Sequence, residues 1–218
     1  MSNYRSIENI SFISKLTEKI VKKRLHDHLT SNSLLNPFQS AYTKFYSTET
    51  TLLSLNDDLS NAIALQQVSC LCLLDLSATF DTLDHSILLY RLFTWFGISS
   101  VSLQWFTSYL FSRTSTVGIP PRSAASSLTC GVPQGSVLGP VLFDLYTTPL
   151  SSRISASSVS HLQYADDTQL FISFVPINFS SAINNLQSTI TLISSWISSN
   201  YLTVNPSKTE FLLIGLPQ

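Results

Sequence analysis

Apolar side chains recur at helical spacing in several segments of the chain. Residues 12–29 place a set of them near a period of 3.6 residues, with lysines and an arginine on the other face. The apolar set is Ile13, Leu16, Ile20, Leu25 and Leu29. Similar patterns predict helices over residues 47–65, 82–96, 102–113, 137–150 and 180–199. Ser47 or Thr48 is the expected N-cap of the second helix, and Gly97 is expected to end the third.

Short apolar runs between these helices predict strands. Residues 68–76, VSCLCLLDL, are typical of a buried strand. Residues 159–174 predict a β-hairpin with the sequence YADD at its tip, and residues 114–119 and TEFLLIG near the end predict further strands. The last of these follows LTV and an Asn205-Pro206 turn. Because strands and helices mix without regular βαβ alternation, we predict an α+β fold in a single domain over residues 1–218.

Composition narrows the class of protein. Charged residues make up 11% of the 218 residues, against about 25% in typical soluble domains. This predicts either poor solubility in isolation or a surface that is normally covered. The net charge of −1 is unlike that of a free-standing nucleic-acid-binding protein. Cys70, Cys72 and Cys130 lack zinc-type spacing, so we expect reduced, buried thiols.

The same sequence predicts an intracellular protein of the nucleus or the cytoplasm. The N-terminal residues are polar and lack the apolar core of a signal peptide. No apolar run reaches the roughly 20 residues that a membrane span needs. We therefore expect no membrane association, while the oligomeric state stays open.

Three aspartates lie where a carboxylate is costly unless it is paired or binds a metal. Asp166 and Asp167 are adjacent at the predicted hairpin tip, and Asp75 ends the apolar strand. If the strand lies beside the hairpin, the three carboxylates converge at one edge of a sheet. Such a cluster can hold two Mg²⁺ or Mn²⁺ ions roughly 3.5–4 Å apart. The alternatives are a solvated turn for Asp166 and Asp167, and a helix cap or a solvent-facing strand end for Asp75.

A fourth element is the sequence PQGS at residues 133–136. Gly135 allows a ligand to approach the backbone closely, and Gln134 offers a hydrogen-bond donor and an acceptor. Ser136 can cap the following helix, whose N-terminus favours anions. Taken alone, this sequence is also typical of an ordinary turn before a helix.

These elements occur in the order of a known family. DLSATFDTLDH, CGVPQGSVLGPVLF, YADD and NYLTVNPSKTEFLLIG together resemble the reverse transcriptases of non-LTR (LINE-type) retrotransposons. QSAYTKFYSTETTL and YRSIENISFISKLTEKIV resemble the family's upstream finger motifs. The resemblance implies a right-hand polymerase, with a ferredoxin-like antiparallel palm sheet, packed helices and partial helical fingers. By the same resemblance, residues about 1–67 are partial fingers and residues about 68–218 are mostly palm.

The resemblance also implies a role for each matching residue. Asp75 and Asp166 match the two metal-binding aspartates, and Asp167 matches the adjacent carboxylate. The metals would be two Mg²⁺ or Mn²⁺ ions. The partners would be an RNA template, a DNA primer and dNTPs. The other matched positions would contact the incoming nucleotide or its leaving group. The backbone of Ala78 and Thr79 would meet the triphosphate, and Phe80 would exclude a 2′-hydroxyl. Gln134 and Gly135 would contact the nucleotide and template, and Lys208 would protonate the leaving pyrophosphate.

The sequence departs from the family pattern at a few positions. Thr43 stands where the family often has an arginine that binds the triphosphate, and Ser6 stands where it often has proline. Against the family pattern we expect a truncated chain, with fingers and palm only and no thumb. The implied function is RNA-directed DNA polymerase, a nucleotidyltransferase. The alternative is an inactive retrotransposon-derived remnant that acts at most as a weak nucleic-acid-binding or interaction module.

Overall fold

The computed structural model describes residues 8–42, 46–77, 79–111, 113–115 and 126–215. Its helices are α1 (Phe12–Ser31), α2 (Thr48–Ala64), α3 (His85–Thr94), α4 (Ser100–Leu110), α5 (Gly139–Ser155) and α6 (Phe179–Ser199). Its strands are β1 (Val68–Leu74), β2 (Leu76–Ser77), β3 (Thr114–Ser115), β4 (Ser126–Ser127), β5 (Ser160–Tyr164), β6 (Asp167–Phe174), β7 (Thr203–Val204) and β8 (Glu210–Ile214). A 3₁₀ turn, Pro176–Asn178, precedes α6.

The main sheet has four antiparallel strands in the order β5-β6-β1-β8. The central strand β1 pairs with β6 from Val68↔Phe174 to Leu74↔Thr168. Strand β1 is buried along nearly its whole length, as expected for a sequence that is apolar except at Ser69. Helices α2 and α6 pack against the sheet through their apolar faces. The α+β prediction is therefore confirmed, and the predicted hairpin is the β5–β6 pair.

The chain divides into two compact units. One comprises residues 36–77 and 147–218 and contains the four-stranded sheet with α2, α6 and the short β2–β7 ladder. The other comprises residues 1–35 and 78–146 and contains α1, α3, α4 and the first part of α5. In this second unit Leu88, Leu92 and Leu110 are fully buried, so it has an apolar core of its own.

Helix boundaries follow local hydrogen bonding. Ser47 caps α2 in a capping box with Thr50, as the sequence predicts. Helix α3 starts at His85, later than expected, because the Asp84 carboxylate accepts the Ile87 N–H at 2.8 Å and so caps the helix there. Gly97 follows α3 with φ +65°, a conformation that glycine adopts without strain.

The predicted buried face of α1 is wrong. Ile13, Leu16 and Ile20 are 75%, 50% and 54% exposed, whereas Glu18 is only 3% exposed. Leu25 and Leu29 are buried as expected. The helix is rotated toward Glu18 because its carboxylate meets two backbone N–H groups, which offsets the cost of burying it.

Several other sequence expectations also need correction or fall outside the described residues. Cys70 and Cys72 are buried and free, but Cys130 is exposed. Ser6, Thr43, Ala78 and most of the strand predicted at residues 114–119 are outside the described part of the chain. In that described part, no helix combines the length and apolar character needed to cross a membrane.

Candidate active site

Two of the three predicted aspartates line one pocket at the end of the β1–β6 pair. Asp75 follows the last residue of β1, and Asp167 is the first residue of β6. Because β1 and β6 are antiparallel neighbours in the register Leu74↔Thr168, these two ends meet. The pocket has a volume of about 460 Å³ and is also lined by Lys208, Ser207 and Glu210. The strand pairing that the sequence analysis required is therefore present.

Asp75 is held by the turn between β7 and β8. Its Oδ2 accepts a hydrogen bond from Asn205 Nδ2 at 2.9 Å and lies 3.4 Å from Lys208 Nζ. Its backbone carbonyl accepts the Asn205 N–H at 2.8 Å. The Asp75 side chain is 17% exposed and that of Lys208 is 58% exposed. The predicted Asn205-Pro206 turn thus delivers both an amide and an ammonium group to one carboxylate.

The electrostatics of the pocket favour a cation. Desolvation at the pocket wall raises the pKa of Asp167, and the Asp166 and Asp75 carboxylates raise it further, whereas Lys208 lowers it. Carboxylates that repel one another in this way bind a hard divalent cation well, because oxygen is its preferred ligand. The donor chemistry of the site therefore fits Mg²⁺ or Mn²⁺.

Asp166 lies in the turn itself, between β5 and β6, and is half-buried. It is not among the residues that line the pocket of Asp75 and Asp167. In the described ranges, no three His, Cys, Asp or Glu side chains form a group that could hold a metal ion together. The assignment of Asp166 as a metal ligand stays a prediction.

The PQGS segment belongs to the unit of residues 1–35 and 78–146, where several hydrogen bonds hold it. Gln134 Nε2 donates to both carboxylate oxygens of Asp81 at 3.1 Å, and the Gln134 carbonyl accepts the Glu8 N–H. Gly131, just before this segment, lies against the backbone of Asp81, where an added Cβ atom would be 2.9 Å from the carbonyl oxygen. Gly135 is exposed with φ +92°. Asp81, which the sequence analysis left without a role, therefore orients the Gln134 amide.

The start of α5 is capped by two side chains. Ser136 Oγ accepts the Gly139 N–H at 2.9 Å, as the sequence predicts. Glu18 Oε2 accepts the N–H groups of Val137 and Leu138 at 2.6 and 3.2 Å. This second cap comes from α1 and was missed by the sequence analysis. Its only sequence signal was an acidic residue within the face of α1 that carries Leu25 and Leu29.

The remaining predicted nucleotide-binding residues lie in the segment after β2. Phe80 is half-buried, with its ring centroid 5.6 Å from that of Phe143 on α5, and its carbonyl accepts the Val132 N–H. Thr79 is buried. Their proposed contacts with a nucleotide stay predictions.

The family model for reverse transcriptase (RNA-dependent DNA polymerase) matches residues 1–215, nearly the whole chain. The chain belongs to the reverse transcriptase family. Membership agrees with the site, because the matched range contains the antiparallel sheet, both aspartates of the pocket and the YADD turn. Enzymes of this family use divalent metal ions.

Named relatives of this reverse transcriptase domain are polymerases of non-LTR retrotransposons. It is 29% identical over 213 residues to a probable RNA-directed DNA polymerase from transposon BS of Drosophila melanogaster, covering 95% of this chain and 23% of that protein. It is 28% identical over 181 residues to the Pol polyprotein of the type-1 retrotransposable element R2 of Popillia japonica, covering 78% of this chain and 25% of that protein. The chain thus spans about a quarter of the length of these relatives.

Solved telomerase structures share the fold of the reverse transcriptase domain. Apo telomerase from Candida tropicalis, truncated from its C-terminal domain, matches with a TM-score of 0.65 at 14% identity, covering 94% of this chain and 41% of that one. Telomerase from Candida albicans in complex with a fragment of telomeric RNA matches with a TM-score of 0.64 at 13% identity, covering 92% and 35%. At this identity the likeness establishes the polymerase fold.

Proposed function

We propose that this reverse transcriptase domain carries an RNA-directed DNA polymerase centre that adds dNTPs to a primer 3′-hydroxyl on an RNA template. The observation that carries the proposal is the pocket at the end of the β1–β6 pair. There Asp75 and Asp167 lie beside Lys208, in a chain whose relatives are RNA-directed DNA polymerases.

Asp75, Asp166 and Asp167 would hold two divalent ions. When bound, Mg²⁺ or Mn²⁺ supplies activation of the 3′-hydroxyl and neutralises charge on the transferring phosphate. Asn205 fixes the Asp75 carboxylate through Oδ2, which leaves Oδ1 with the longer 3.5 Å contact to Lys208. Lys208 would donate a proton to the leaving pyrophosphate. This role is supported by the position of its ammonium group, which lies 3.4 Å from an Asp75 carboxylate oxygen and is largely exposed.

The other group of predicted residues would select and align the nucleotide. The backbone at Ala78 and Thr79 meets the triphosphate, and Phe80 sterically excludes a ribose 2′-hydroxyl. Gln134 and Gly135 contact the nucleotide and the template. Because Asp81 occupies the Gln134 amino group, the amide would present its carbonyl oxygen as an acceptor.

Primer extension on an RNA template with all four dNTPs and Mg²⁺ or Mn²⁺ tests the proposal. The parent chain is compared with Asp75→Asn and Asp166→Asn, which keep side-chain volume and remove charge. Asp57→Asn is the matched control, since Asp57 is an exposed residue of α2. We expect extension by the parent and the control and none by the two site variants.

Two results would overturn the proposal. If folded parent protein does not extend a primer under any of these conditions, the proposal fails for this chain and the inactive-remnant alternative is favoured. If either site variant extends as well as the parent, the metal-binding residues are misassigned.

A further inference from the structure

The turn that carries Asp166 and Asp167 contains an unfavourable backbone conformation. Strands β5 and β6 pair up to Tyr164↔Asp167, so Ala165 and Asp166 form a two-residue hairpin turn. Ala165 has φ +55°, in the left-handed region that residues other than glycine seldom occupy. Such a conformation persists only when the surrounding structure holds it.

One side chain binds both backbone polar groups of Ala165. Gln39 Oε1 accepts the Ala165 N–H at 3.0 Å, and Gln39 Nε2 donates to the Ala165 carbonyl at 3.2 Å. The same Oε1 accepts the Ala41 N–H at 3.0 Å. Gln39 is only 4% exposed, so its side-chain amide is largely shielded from water, whereas Ala165 is half-buried.

The segment that carries Gln39 is itself fixed along β5. The Gln163 N–H donates to the Phe38 carbonyl at 2.8 Å, and the Ser40 N–H donates to the Gln163 carbonyl at 2.9 Å. The Gln163 side chain accepts from Asn36 Nδ2 at 2.9 Å. These bonds extend the sheet by a short parallel bridge, Gln39↔Gln163, and give the Gln39 amide a rigid base.

We propose that Gln39 is a positioning residue that holds the Ala165-Asp166 turn, and with it the two adjacent carboxylates, in the conformation seen here. The contacts of Gln39 with the turn are to the backbone of Ala165, and the proposal gives its side chain no part in the chemistry. The consequence for catalysis rests on the proposed function, whereas the effect on the turn does not.

A primary amide is suited to this position. It offers one acceptor and one donor side by side, which matches the N–H and C=O of a single residue. Methionine has nearly the same length but offers neither group with comparable strength. Asparagine keeps the amide but is one methylene shorter and does not reach both groups.

The direct test is amide hydrogen exchange of the Ala165 N–H, followed by NMR in the parent, Gln39→Met and Gln39→Asn. Loss of the Gln39 acceptor exposes this amide, so we expect exchange about tenfold faster in both variants. The Cys72 amide, in the centre of the sheet, should keep its parent rate. Gln187→Met is the matched control, because Gln187 is an exposed glutamine on α6.

Turnover separates positioning from a general effect on folding. We expect Gln39→Met to lower kcat about tenfold with the KM for dNTP unchanged. Adding Ala165→Gly should restore most of kcat, because glycine adopts φ +55° without strain. The double variant should regain turnover while the amide of residue 165 stays unprotected. If Gln39→Met acted only by lowering overall stability, this combination would not be seen.

Each result decides a separate question. Unchanged Ala165 exchange in both folded Gln39 variants overturns the inference, even if the parent extends primers. Faster Ala165 exchange in the Gln39 variants, together with a parent that does not extend primers, supports the inference about the turn and refutes the proposed function. Loss of kcat that Ala165→Gly does not rescue also refutes the positioning role.

Discussion

The buried carboxylate of Glu18 should be among the most important polar groups for stability. It is 3% exposed, and its Oε2 accepts the N–H groups of both Val137 and Leu138. Tyr109 donates a longer bond of 3.4 Å to Oε1. Glu18→Ala leaves two backbone donors without this acceptor. We expect a loss of about 2–6 kcal/mol, the sum of about 1–3 kcal/mol for each of the two unsatisfied donors.

Glu18→Gln should be far milder. Because both strong bonds end on Oε2, an amide carbonyl placed there can accept both N–H groups, and only the charge assistance is lost. The expected cost is about 1–2 kcal/mol. Asp27→Ala, on the exposed side of the same helix, should change stability by less than about 0.5 kcal/mol.

Urea unfolding followed by far-ultraviolet circular dichroism measures all three variants. The ordering is the test: Glu18→Ala well below Glu18→Gln, with Asp27→Ala near the parent. A cost below about 1 kcal/mol for Glu18→Ala would show that the cap of α5 is not supported by this carboxylate. Equal losses for alanine and glutamine would show that charge, and not the two hydrogen bonds, is what matters.

Three further predictions concern titration, reactivity and backbone conformation. Burial lowers the pKa of His161 to about 4, below the usual 6.5, so stability is complete above pH 6.5 and falls by up to about 3 kcal/mol as the pH drops toward 4. The urea concentration at the unfolding midpoint, measured against pH, should show this loss in the parent. The loss should be absent in His161→Gln and should remain when the exposed His26 is replaced. Iodoacetamide should label exposed Cys130 much faster than the two buried β1 thiols, whose pKa values burial raises; equal labelling in mass spectra would contradict this. Gly131→Ala should lower the melting temperature more than Gly97→Ala, because only at Gly131 does a new Cβ meet backbone oxygens at about 3 Å; equal shifts would refute that reason.

Local sequence signals predicted most elements of the fold. Five of the helices fall within a few residues of the segments whose apolar spacing predicted them, and α3 is shorter because of Asp84. The strand at residues 68–76 and the hairpin at residues 159–174 were also predicted correctly. These signals are reliable because they depend on neighbours three, four or two positions away in the sequence.

The face of α1 that is buried could not be predicted in the same way. The apolar spacing predicted one buried face, of which only Leu25 and Leu29 are buried. Glu18 is buried in place of Ile13, Leu16 and Ile20, since backbone donors more than 100 residues away along the chain satisfy its carboxylate. A periodicity argument counts an acidic residue as polar and has no access to that distant partner.

The candidate site likewise combines features that local sequence motifs predict with contacts that only the folded chain shows. Sequence alone determined the family, the fold class and the aspartates at a strand end and a hairpin tip, because those features lie in short motifs in a fixed order. Only the tertiary structure shows that Asp75 and Asp167 line one pocket, which Asp166 does not line. It also shows that Asn205, Asp81 and Gln39 form hydrogen bonds with Asp75, Gln134 and Ala165. These contacts join residues 53 to 130 positions apart. Their side chains carry no local pattern, so they become visible only when the strands and loops that hold them are packed together.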